Sequence, residues 1–170
     1  PQIKEKYKKI DFLLHGYTMA GYYPQCTVSL TKEEMLKESQ RVMKINYERC
    51  MNYIKDLNPD FFMPFAGRYL LAGKLAKLND RTANFPPIHA KKYLEKNYQN
   101  ELKNKRCVVL NTFEYFDLEK KEQSKEYKEY DKKEVDNYIE NVLSKIKFSY
   151  ENDHLPTKEK IYSLLQKSYE

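Results

Sequence analysis

Apolar residues first gather in the short run Ile10-Asp11-Phe12-Leu13-Leu14-His15, which ends at Gly16 and reads as a buried strand. The pattern then changes period. Met35, Val42, Met43, Tyr47, Cys50, Ile54 and Leu57 recur near every 3.6 residues, which predicts a helix over 32–57 with these side chains on its core face. Thr31 with Glu34 forms a capping box at its start, and Asn58-Pro59 stops it. Asp60 to Phe65 predicts a second strand entering the turn Ala66-Gly67, followed by a short helix from Arg68 to Leu78 despite Gly73. A loop over 79–88 carries Pro86-Pro87, and a helix is expected over 89–103. Cys107 to Leu110 is a third strand, with Tyr115 to Leu118 expected to pair with it. Residues 2–8 read as the end of a helix.

From 119 onward the pattern is helical and highly charged. Asp131 with Glu134 caps a helix to about 147, and Thr157 caps a last one to about 169. Alternating strands and helices give an α/β arrangement. Three or four short strands are few for 170 residues, so the pattern resembles half of a larger fold. The boundary falls in the Lys/Glu-rich stretch 119–130, which divides the chain into 1–118 and a charged helical extension, 119–170.

Composition narrows the function classes. At 41% hydrophobic and 33% charged residues, the chain is apolar enough for a core and too polar for a membrane protein. No apolar run approaches the ~20 residues that span a bilayer. The N-terminus has no signal-peptide core, but the sequence begins at Pro1 and not Met, so targeting information can have been lost with a removed segment. Cysteines 26, 50 and 107 are odd in number with no CxxC spacing, which fits a reducing, cytoplasmic setting and excludes a four-cysteine zinc site. The net charge of +6 comes from 31 basic residues interleaved with 25 acidic ones, which favours a solvated surface over a nucleic-acid groove.

Candidate chemistry is sparse. His15, His89 and His154 form no HxH or HxxH pair. His15 ends a strand, where α/β ligand sites open, yet a packed core or rim histidine is the simpler reading. Cys26 lies in the aromatic loop from Gly16 to Cys26 and is the single nucleophile candidate, because Cys50 and Cys107 fall on apolar faces. Neither GxxxxGK[ST] nor GxGxxG is present. Arg68, Lys74 and Arg81, beside the Gly67 turn, offer anion binding, with a helix starting after Gly67 to present free N–H groups, and a reading of Arg68 and Lys74 as ordinary exposed helix residues stands about even with it.

Two stretches are more specific: Gly16-Tyr17-Thr18-Met19-Ala20-Gly21-Tyr22-Tyr23-Pro24-Gln25-Cys26, and Asn52 through Pro64-Phe65-Ala66-Gly67. Joined by a capped helix, they resemble the C-terminal half of the metallo-β-lactamase-like domain of CMP-N-acetylneuraminate hydroxylase and its bacterial relatives, over about 9–118. The resemblance implies an αββα sandwich of which this chain holds the second half. It also implies that the metals are held mainly by an HxHxDH loop of the first half, which is absent here, and that a later metal histidine would fall around Met63 to Gly67, where there is none. No Rieske Cys-His pairs occur.

The first reading is therefore part of a metal-dependent hydrolase or oxidoreductase related to nucleotide-sugar hydroxylases. Tyr17, Gln25 and Cys26 would line its pocket, and Gly67 and Arg68 would hold an anionic group. No cofactor is expected within this chain; zinc or iron would belong to the full-length protein. The second reading is a non-catalytic binding or scaffold module of the same fold that has lost its metal ligands. A nucleic-acid-binding domain ranks last. A half-sandwich exposes an apolar sheet face, so the expected partner is the missing N-terminal half or a second copy of the chain, with the chain's own charged C-terminal helices the least favoured cover.

Overall fold

In a computed structural model, residues 2–65 and 68–168 are described. A short helix, α1 (Gln2–Lys6), leads into β1 (Phe12–Gly16). The long helix α2 (Lys32–Leu57) then crosses back to β2 (Phe61–Phe65). A 3-10 helix (Gly73–Arg81) and α3 (Pro87–Asn97) connect β2 to β3 (Arg106–Cys107). The three strands form one parallel sheet in the order β1-β2-β3, with Phe12 opposite Phe61 and Leu13 opposite Phe62. Helical crossovers between parallel strands make the protein mixed α/β, as the alternating pattern predicts.

Strand side chains alternate between the two faces of the sheet. Phe62, Cys107 and Val109 are buried with Tyr47, Cys50, Met51 and Ile54 of α2 and with Ala90 and Leu94 of α3. The opposite face begins with an aromatic cluster. The rings of Phe12 and Phe61 lie 5.4 and 4.9 Å from that of Phe116. Farther along, Leu14 and Phe65 are 54% and 51% exposed.

Local signals explain α2. The Thr31 hydroxyl accepts from the Glu34 N–H, and the Glu34 carboxylate accepts from the Thr31 N–H at 2.8 Å. Asn58 closes the helix in the left-handed conformation, φ 49°, a role its short polar side chain tolerates.

Several expected elements differ. No helix starts at Arg68; residues 68–72 are irregular, and the 3-10 helix opens at Gly73 with φ +56°. A Cβ there would meet the Ile146 carbonyl oxygen at 2.8 Å and the Phe148 ring at 2.7 Å, so the C-terminal segment packs against this glycine. The anion site at a helix start after Gly67 is thus corrected: Arg68 has no helix N-terminus beside it. α3 stops at Asn97 rather than near 103, where the Asn97 side chain bonds the Tyr93 carbonyl at 2.7 Å.

The segment 115–118 does not pair with β3. β4 (Phe116–Asp117) pairs antiparallel with β5 (Glu122–Gln123) instead. Asp117 Oδ1 accepts from the N–H groups of Glu119 and Lys120, each at 2.9 Å, and so reverses the chain. In place of the expected helix from 119 the chain makes a turn, the short strand β5 and irregular backbone up to Asp131, and the expected 118/119 boundary falls inside the hairpin. α4 (Lys132–Asn141) ends short of 147, and α5 (Lys158–Lys167) follows Thr157. No helix among the described residues is long and apolar enough to cross a membrane.

Candidate functional site

The loop after β1 is held from three sides. Tyr17 donates its hydroxyl to the Phe85 carbonyl at 2.9 Å, and Gln25 Nε2 donates to the Leu78 carbonyl at 2.8 Å. Tyr23 donates to Glu38 on α2 at 2.7 Å. Tyr69, just past β2, donates to the Gly21 carbonyl at 3.0 Å and packs edge-on against Tyr22. The loop and the segment after β2 therefore meet at the carboxyl ends of adjacent parallel strands, the edge at which α/β ligand sites gather.

The sequence candidates have different surroundings. Tyr17 is 2% exposed and Gln25 1% exposed, and both act as struts inside the loop. Burial raises the Tyr17 hydroxyl above its ordinary range. Cys26 is partly exposed, and burial raises its thiol as well, the opposite of what an activated nucleophile needs. Gly67 lies outside the described residues. Arg68 is exposed, lies 5.4 Å over the Tyr130 ring and lines a cleft of about 850 Å³. That volume is within the ~300–1,000 Å³ typical of small-molecule sites. Tyr17, Gln25 and Cys26 are not on its walls.

The cleft runs between α2, the 3-10 helix and the start of α3 on one side and residues 127–139 on the other. Leu36, Leu70, Ile88, Val135 and Ile139 give it an apolar wall. At the polar end sit Arg68, His89 and Tyr127. His89 packs on Phe85 at 5.5 Å, and burial holds its imidazole below the ordinary value of 6.5. Glu129 pairs with Lys92, which lowers its carboxyl. The Tyr127 hydroxyl is buried without a hydrogen-bond partner among the described residues.

Sequence reasoning missed His89, Tyr127 and Tyr130 as neighbours of Arg68. The available signal was two tyrosines three apart in an otherwise charged run. His15 stacks on Tyr53 at 4.4 Å on the α2 side of the sheet, a packing role, and burial lowers its pKa. His154 is exposed. Among the described residues no three His, Cys, Asp or Glu side chains converge as a metal site. Compared with known proteins, the chain matches no family model, no curated protein and no solved structure.

Proposed function

We propose that this chain is the substrate-side portion of a cytoplasmic metallo-β-lactamase-fold enzyme related to nucleotide-sugar hydroxylases. Zinc or iron chemistry would come from an upstream segment that carries the metal ligands. What supports the reading is the meeting of the Tyr17-to-Cys26 loop with the segment after Phe65, joined by the Tyr69–Gly21 hydrogen bond. The loop is one of the two motifs that carry the resemblance, and Tyr69 follows the end of the other, Gly67, by two residues. In this reading Arg68 holds an anionic group of the substrate, and Tyr17, Gln25 and Cys26 shape the loop behind it. The exposed Leu14 and Phe65 side of the sheet, and the edge of β1 that no other strand pairs among the described residues, are where the N-terminal half or a second copy would pack.

The test is elemental analysis of the full-length protein together with binding of CMP-N-acetylneuraminate. The expected result is stoichiometric zinc or iron and binding that Arg68→Gln weakens. A full-length protein without metal that still binds the nucleotide sugar would favour the non-catalytic module of the same fold. A full-length protein that shows neither metal nor binding overturns the reading.

A further inference from the structure

Of the cleft beneath α4 the enzyme reading uses only Arg68. Its basic residues Arg68, Lys77 and Lys132 form no ion pair among the described residues. Two of its acidic residues are already neutralised, Asp80 by Lys32 at 2.7 Å and Glu129 by Lys92. Asp136 is the one lining carboxylate without an ion pair among the described residues. Three free cations against one free anion give the cleft a positive bias. Arg68 presents a planar fork of donors suited to a phosphate or carboxylate. The buried Tyr127 hydroxyl has no partner among the described residues, a costly state that a ligand oxygen would relieve.

Leu36, Leu70, Ile88, Val135 and Ile139 add apolar surface among the polar residues that line the cleft. α4 has no fully buried residue, yet its Val135 and Ile139 are half-buried and line the cleft together with Leu36 and Ile88. An apolar body between these walls would bring α4 into closer packing with the rest of the molecule.

We infer that the cleft binds an amphipathic anion, with a phosphate or carboxylate head at Arg68 and Tyr127 and an apolar body between α4 and the body of the fold. The inference shares Arg68 with the enzyme reading but does not depend on metal, so the two stand or fall on different measurements.

The experiment is titration of the chain with octyl phosphate, octanoate, octanol and inorganic phosphate, followed by calorimetry and by methyl chemical shifts. Octyl phosphate and octanoate are the two head-group arms, and at least one is expected to bind more tightly than octanol or inorganic phosphate alone. The shifts should centre on Leu36, Ile88 and Ile139. Arg68→Gln should weaken the anionic ligand about tenfold or more and leave octanol unchanged. Ile139→Trp, which fills the cleft, should weaken both the anionic ligand and octanol. Leu14→Gln, on the exposed sheet face, should change neither. Absence of binding by either anionic ligand overturns the inference. So does binding that Arg68→Gln leaves intact, or that Leu14→Gln removes.

Discussion

The two faces of the sheet are built from equally apolar strands and end in different environments. On one, Phe62 is 1% exposed beneath α2 and α3, where helix and strand residues close a continuous core. On the other, Phe12 and Phe61 are covered by Phe116, while Leu14 and Phe65 are more than half exposed. Strands of a parallel sheet are ordinarily buried on both faces. The apolar pattern of β1 and β2 therefore specifies more cover than these residues supply. The C-terminal segment does not supply it. Val135 and Ile139 of α4 turn to the cleft beside α2, and Ile161, Leu164 and Leu165 of α5 remain exposed.

Substitutions separate the two faces. Phe62→Ala should have the largest effect, a loss of about 3–5 kcal/mol in denaturant unfolding, because it opens a cavity in the closed core. Gly73→Ala should come next. It combines a positive φ with a clash against the Ile146 carbonyl, and should cost more than about 1 kcal/mol while loosening the segment near Phe148, as read by hydrogen exchange. Thr31→Ala should cost about 1 kcal/mol through loss of the α2 cap. Leu14→Gln should change the stability of the single chain by no more than about 0.5 kcal/mol, in contrast to Phe62 on the opposite face of the same sheet.

The smallest effect is on pH dependence. Burial lowers the pKa of His15 and His89 below 6.5, so the unfolded chain binds more protons as the pH falls. Their contribution is present above pH 6.5 and is lost as the pH drops through and below that value. Melting curves should show this decline, and His15→Gln with His89→Gln should reduce it.

The first half of the chain was legible because its signals are local. The Thr31–Glu34 box, the spacing from Met35 to Ile54 and the Asn58-Pro59 stop all act within a few residues. The remainder depends on distant partners. Asn111 holds the backbone of Lys128 through both side-chain amide atoms, at 2.8 and 2.9 Å, and Gln123 bonds the Val109 carbonyl at 2.9 Å. These contacts hold a charged stretch out of the helix that its composition suggests. Gly73 likewise owes its conformation to a segment far along the chain. Arg68 stood out in the sequence by following a strand, whereas Tyr127 and Tyr130 reach it only through the folding of that extended stretch.

The central claim is that the Leu14 and Phe65 face is made to be covered. Sedimentation velocity of the purified 170-residue chain at micromolar concentration, read alongside binding of an apolar dye, tests it most directly. The chain should associate with a concentration-dependent mass, or as a monomer bind the dye, and Leu14→Gln combined with Phe65→Gln should abolish either behaviour. A wild-type monomer that unfolds cooperatively and binds no dye would contradict the account.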